Sequence, residues 1–256
     1  MQTLMVYSEA GGVTKTTTAV SIAAVAAASG RKVVLIDLDP RAAATRWFNV
    51  EPKAEGLHVG AILADTDPEG WVEELAVPSG WFPELRVVPS ARSLSNREAD
   101  NSDHLEVRLR VALEGLDADL VVIDCANRQG GPLTQSALNA ADTVVYAATA
   151  TSDGVDGFLG AQTTVQRFMK NRERLGAPVN LVEAGVVVGG VKTTIMSRAA
   201  TASIEQLEES GLLLYPLIPE RAIVQEVRLA GEWYGEYRKG LPIVEAYEEI
   251  VRKVVR

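Results

Sequence analysis

Apolar residues in this chain fall into short continuous runs, separated by longer stretches with helical spacing. Residues 3–7 (TLMVY), 32–37 (KVVLID), 85–88 (LRVV), 120–124 (LVVID), 143–147 (TVVYA) and 184–188 (AGVVV) read as strands. Near-continuous Val/Ile/Leu runs suit parallel strands covered on both faces, and helical stretches separate most of them. The alternation predicts an α/β fold, a doubly wound, mostly parallel sheet flanked by helices, built by residues 1–256 as a single domain. An Ala-rich helix is expected over 16–29, stopped by Gly30. Residues 51–84, with Pro52, Pro68, Pro78 and Pro83, read as a looser excursion.

The last segment, 242–256, places Ile243, Val244, Tyr247, Ile250, Val251, Val254 and Val255 at helical spacing. Its polar positions mix three Glu with Arg252, Lys253 and Arg256. Without a strongly basic face, this helix is expected to dock on the core and not on a membrane surface.

Composition narrows the classes. The longest uncharged run, 16–30, is 15 residues of mostly Ala and Thr, short of the roughly 18–20 apolar residues of a membrane span. No basic n-region and apolar h-region open the chain, so a cytoplasmic location is expected. The one cysteine, Cys125, excludes an intrachain disulfide framework and any multi-cysteine metal site within one chain; it reads as a small buried residue. The net charge of −9 is uneven, −10 over residues 1–160 and +1 over 161–256. Any contact with a polyanion must therefore come from a local basic patch, expected in the C-terminal third. His58 and His104 read as surface or loop residues, and the four tryptophans as packing residues.

The chemistry begins after the first strand. Residues 10–17 read Ala-Gly-Gly-Val-Thr-Lys-Thr-Thr and open a helix. There the backbone N–H groups of Gly11, Gly12, Val13 and Thr14 and the helix N-terminus can surround a triphosphate. Lys15 would reach its β/γ-phosphates, the Thr16 hydroxyl would hold Mg²⁺, and Thr17 could touch an inner phosphate. Two further strands end in acids, Asp37 and Asp39 in IDLDP and Asp124 in LVVID. Ligands of open α/β sheets sit at the carboxyl ends of strands, so all three converge on the phosphate-binding edge, where Mg²⁺ would explain them.

These residues resemble the ParA/MinD branch of P-loop ATPases with a deviant Walker A motif, and most of all the ParA DNA-partition ATPases. The matching stretches are GGVTKTTTAVSIA (11–23), KVVLIDLDP (32–40), RVVPSARSL (86–94), DLVVIDC (119–125), SALNAADTVV (136–145) and a Gly-x-Pro at Gly240 and Pro242. The resemblance implies an ATP- and Mg²⁺-dependent hydrolase with Lys15 as the P-loop lysine and Asp124 as the Walker B carboxylate. It implies Asp39 as the acid that positions the attacking water, Asp37 as support for the metal shell, and Ile218 and Pro219 beside adenine.

Four positions depart from the family pattern. Ala10 stands where a signature lysine reaches across a dimer, Thr14 replaces a loop glycine, Ala126-Asn127 replaces Pro-Pro, and Arg41 ends the DPQ-like triplet. Hydrolysis is accordingly expected to be slow, with Arg41 or Arg128 as candidate substitute cations. The first strand starts within a few residues of Met1, so no N-terminal helix-turn-helix extension is expected. Short family members form ATP-bound homodimers that coat double-stranded DNA without sequence preference. A ParB-like centromere-binding partner releases them by stimulating hydrolysis, and the resemblance implies the same nucleoid association here. Candidate DNA contacts are Lys192, Arg198, Arg221, Arg228, Arg238 and Lys239. The alternative is a nucleotide-binding switch of the same fold with little or no ATPase activity.

Overall fold

A computed structural model of the chain describes residues 1–192 and 195–256. Strand β1 (Gln2–Tyr7) leads through a loop into α1 (Lys15–Ala28), followed by β2 (Val33–Leu38). Short elements come next: α2 (Ala43–Trp47), α3 (Val59–Ala64), α4 (Trp71–Leu75) and β3 (Val77–Pro78). Then come β4 (Leu85–Val88), α5 (Leu105–Ala112), β5 (Leu120–Cys125), α6 (Pro132–Ala140), β6 (Thr143–Thr149) and α7 (Ser152–Arg174). The chain ends with β7 (Val182–Gly189), α8 (Arg198–Glu209), β8 (Leu213–Leu214), α9 (Ala222–Ala230) and α10 (Leu241–Val254). The strands form one sheet in the order β3-β4-β2-β5-β1-β6-β7-β8. Every pairing is parallel except that of β3 with β4.

The continuous apolar runs now have a physical reason. Alternate strand residues point to opposite faces, and both faces are covered. Met5, Val34, Ile36, Val121 and Ile123 enter one core with residues of α3, α5, α6 and α7. Leu4, Val6, Val33, Leu35, Leu120 and Val122 enter the other with residues of α1, α2, α9 and α10. Helix α1 is buried along most of its length and packs closely against β5 and α10, which its run of alanines permits. Two buried phenols tie it to the C-terminal third: Tyr234 donates to Ser21 Oγ at 2.6 Å, and Tyr247 Oη lies 3.1 Å from Thr18 Oγ1.

Helix α10 docks on the core as its spacing predicts, with Ile243, Tyr247, Ile250, Val251 and Val254 buried. Among the described residues no helix is long and apolar enough to cross a membrane. The start of β1 is stitched to the end of α10: Gln2 Nε2 donates to the Val254 carbonyl at 2.9 Å, and the Arg256 N–H donates to Gln2 Oε1 at 2.8 Å.

The excursion over 51–84 is anchored in the core through Val59, Ile62, Leu63, Val72 and Leu75, and His58 adds polar bonds to it. His58, expected at the surface or in a loop, lies in the loop that enters α3 but is buried. Its Nδ1 accepts the Gly60 N–H at 3.0 Å and caps α3, while Nε2 lies 2.8 Å from Ser93 Oγ. A histidine at an N-cap is an uncommon substitute for Ser, Asp or Asn, so the capping pattern gave no signal. His104 is exposed, as expected.

Candidate functional site

Parallel pairing brings the expected carboxylates together. Asp37 on β2 is in register with Asp124 on β5, and Asp124 with Val6 on β1. The phosphate loop leaves β1 directly beside them. Thr14 caps α1 in the left-handed region at φ 67°, where a β-branched residue costs on the order of 1 kcal/mol or more. Its position is fixed by close approach of β7: a Cβ on Gly189 would lie 2.5 Å from Thr14 Oγ1. Gly157 of α7 does the same for Ala10, since a Cβ there would lie 2.4 Å from the Ala10 Cβ. Helix α7 therefore passes against the loop where the family pattern has a lysine.

Lys15 is buried and donates to the Ala10 carbonyl at 2.7 Å. Burial lowers its pKa, and the charges of Asp124 and Asp39 act to raise it. Residues 11–17 line a cleft of about 330 Å³ together with Asp39, Arg41, Ala43, Arg46, Asn127, Gln225 and Arg228.

The three acids have different surroundings. Asp37 accepts from the Thr45 N–H at 2.8 Å, the Thr45 hydroxyl at 2.7 Å and the Asp39 N–H at 3.1 Å. Burial nevertheless pushes its pKa up to about 6. Asp39 accepts the Arg41 N–H at 2.8 Å, and its own carbonyl accepts the Ser90 hydroxyl at 2.8 Å. Asp124 is fully buried, and neither carboxylate oxygen has a hydrogen-bond partner. Burial, then the neighbouring Asp37 charge, holds its carboxyl well above the ordinary range, against the Thr16 hydroxyl, which faces the carboxylate beyond a regular hydrogen-bond geometry and lowers it. The buried hydroxyls of Thr14 and Ser8 are also unpartnered.

A buried carboxylate without donors is costly in an empty protein and fits a cation. The described residues hold no group of three His, Cys, Asp or Glu side chains disposed around one point for a metal. Mg²⁺ does not need one, because it keeps waters and substrate phosphates and takes only one or two protein oxygens. Asp124 and the Thr16 hydroxyl fit that donor set. Asp37, with its oxygens already taken by Thr45 and the backbone, organises the segment that carries Asp39.

Thr45, Ser90, Arg46, Gln225 and Asn127 were not singled out from the sequence as site residues, because tertiary folding alone brings them here. Of the two candidate substitute cations, Arg41 lines the cleft. Arg128 pairs with Glu98 at 3.1 Å and is absent from the lining. Arg228, expected among the DNA contacts, also lines the cleft. Lys192, Arg198, Arg238 and Lys239 are exposed, and Arg221 is half-buried at the start of α9. Ile218 is buried, and its main chain is committed: its N–H donates to the Val188 carbonyl at 2.9 Å and its carbonyl accepts from Val191 at 3.0 Å. Adenine recognition by this strip would thus fall to the neighbouring Pro219 carbonyl and to apolar contact. Cys125 is buried, which pushes its thiol up and leaves it unreactive.

Comparison with known proteins agrees with this geometry. The profile of the AAA domain family matches residues 1–175. The sporulation initiation inhibitor protein Soj of Bacillus subtilis is 27% identical over 232 residues, 89% of this chain and 85% of that one. The chromosome partitioning protein ParA of Myxococcus xanthus is 36% identical over 147 residues, 56% of this chain and 50% of that one. Among solved structures, apo McdA from Cyanothece superposes with a TM-score of 0.82 at 24% identity, covering 98% of both chains. Cobyrinic acid a,c-diamide synthase from Mycobacterium smegmatis, solved with ADP and magnesium, superposes with a TM-score of 0.75 at 25% identity, covering 98% of this chain and 93% of that one. The chain belongs to the AAA domain family and is an ATPase of the ParA/MinD type.

Proposed function

We propose that this protein is a DNA-partition ATPase that binds ATP and Mg²⁺, forms a homodimer in the ATP state and then holds double-stranded DNA without sequence preference. The single observation that carries the nucleotide half is the buried, unpartnered Asp124 carboxylate beside Lys15 and Thr16. The partition half rests on similarity to proteins named Soj and ParA.

The loop residues Gly11, Gly12, Val13 and Thr14 present N–H groups to the phosphates, and Thr17 adds a hydroxyl. Lys15 exchanges its bond to the Ala10 carbonyl for the β- and γ-phosphate oxygens. Thr16 and Asp124 would hold Mg²⁺, which would neutralise charge developing on the phosphates. Asp39, steadied by its contact with the Arg41 N–H and by the Asp37 and Ser90 bonds around it, orients the attacking water. Ile218 and Pro219 lie alongside adenine. Hydrolysis is slow, and DNA and a ParB-like partner accelerate it.

In the dimer, two weak basic surfaces act together, and avidity supplies the DNA affinity. Lys192, Arg198, Arg221, Arg238 and Lys239 supply the phosphate contacts. The protein is then cytoplasmic and nucleoid-associated.

The test is binding to duplex DNA of arbitrary sequence with ATP, ADP or no nucleotide, titrated with salt. Binding only with ATP, weakening steeply as salt rises, supports the proposal. Absence of binding in every state overturns the DNA half. Retention of tight ATP binding by Lys15→Ala overturns the nucleotide half.

A further inference from the structure

The phosphate cleft has a second wall. Besides the loop, its lining takes in Gln225 and Arg228 from α9, with Arg41 and Arg46 from the segment around α2. Gln225 and Arg228 are three residues apart and share one face of their helix, while Ile223 and Val227 bury another in the core. The lining thus presents four cationic side chains, Lys15, Arg41, Arg46 and Arg228, against one carboxylate, Asp39.

Arg228 is distinguished from the other two arginines by its support. It is half-buried, whereas Arg41 and Arg46 are exposed. Its guanidinium carbon lies 5.8 Å from the centre of the Trp47 ring. Trp47 is itself fully buried and fixed by a 3.1 Å bond from its indole N–H to the Glu232 carbonyl, just beyond α9. Among the described residues, Arg228 takes part in no ion pair. A guanidinium held by an indole face is oriented without spending its hydrogen-bond donors. Those donors are matched in geometry to phosphate oxygens.

We propose that Arg228 is a nucleotide-binding residue that grips the phosphate chain of a nucleoside triphosphate from α9, within the same subunit, with Trp47 as the platform that aims it. A triphosphate carries more negative charge than Mg²⁺ and Lys15 together cancel, and Arg228 supplies part of the remainder. The assignment moves Arg228 from the DNA surface to the nucleotide, and makes α9 a wall of the site that engages only when phosphates are present. It rests on the reading of this cleft as an ATP site.

The experiment measures the dissociation constants of MgATP and MgADP by calorimetry, with the full chain and its Arg228→Met and Arg228→Lys variants. Methionine keeps an unbranched stem over Trp47 and removes the charge and the donors. Lysine keeps the charge and loses the fork. Melting without nucleotide is recorded for all three, and DNA binding at saturating ATP for each. Losing a charge-assisted phosphate contact corresponds to about a ten- to a hundredfold weaker ATP affinity. That loss is expected for Arg228→Met, with an unchanged apo melting temperature and partial recovery in Arg228→Lys.

ATP affinity within twofold of wild type in Arg228→Met overturns the proposal. So does weakened DNA binding at saturating ATP with nucleotide affinity unchanged, which returns Arg228 to the DNA surface. Should Arg228→Met fold poorly, Arg228→Lys decides alone: wild-type affinity in that variant overturns the need for the fork. If the wild-type chain binds no ATP, the reading of the cleft fails first, a result distinct from an Arg228 variant that binds as tightly as wild type.

Discussion

Asp37 and Asp124 sit at equivalent points of neighbouring strands, each one residue from the carboxyl end, in register and equally buried. Their surroundings are opposite. Asp37 accepts three bonds from Thr45 and Asp39, whereas Asp124 accepts none. The first carboxylate is complete within the folded chain and belongs to its architecture. The second has only the Thr16 hydroxyl facing it from within the chain. The sequence motif treats both as members of one metal-binding set, and under the proposed function their hydrogen bonds give them different parts, Asp37 in the scaffold and Asp124 toward the cation.

The largest effect expected near this pair falls on the acid between them. Asp39→Ala should lower ATP turnover by about 10²–10⁴-fold, the usual contribution of a positioned general base, with ATP affinity retained. Single-turnover phosphate release measures it, and normal turnover in Asp39→Ala would remove Asp39 from the mechanism.

Next in size, Asp37→Ala should destabilise the nucleotide-free protein by about 2–4 kcal/mol, because it strands the Thr45 and Asp39 donors. Denaturant unfolding without Mg²⁺ measures it. If the loss appears only in the presence of MgATP, Asp37 is a ligand acid after all, and the contrast collapses.

Asp124→Asn is expected to act with the opposite sign. Replacing an unpartnered buried carboxylate with a neutral amide should leave the nucleotide-free protein unchanged or about 1 kcal/mol more stable. The same substitution should abolish the gain in ATP affinity on adding Mg²⁺. A destabilised apo protein would show that Asp124 has structural partners.

The smallest effect lies at a third buried polar residue, complete like Asp37 but far from the cleft. Burial lowers the pKa of His58, which is neutral as it accepts the Gly60 N–H. The unfolded chain binds that proton more readily, so the stability His58 contributes is present above about pH 6.5 and declines as pH falls below it. Comparing His58→Ala with wild type by thermal melting should show a difference of about 1 kcal/mol at pH 8 that shrinks at pH 5.

The same distinction explains what could be read in advance. Strands such as KVVLID and LVVID are legible because burial on both faces writes itself as an unbroken apolar run. The phosphate loop is legible because its glycines, Lys15 and Thr16 are contiguous. Thr45 is not, because its role exists only once α2 folds back over β2. Arg228 is illegible for the same reason. In the sequence it is one of several C-terminal basic residues, and only the packing of α9 on α2 turns it toward the cleft. His58 lies in a loop as expected, but its burial and its cap were not legible, because a helix cap by imidazole has no sequence pattern of its own.

The stitching of β1 to α10 has a practical consequence. Gln2 holds both Val254 and Arg256, at the opening of β1, and parallel strands put their openings on the opposite rim from the nucleotide cleft. Gln2→Ala would therefore loosen the last turn of α10 from β1 at a distance from the phosphates, and would separate the anchoring of that helix from the chemistry of the cleft.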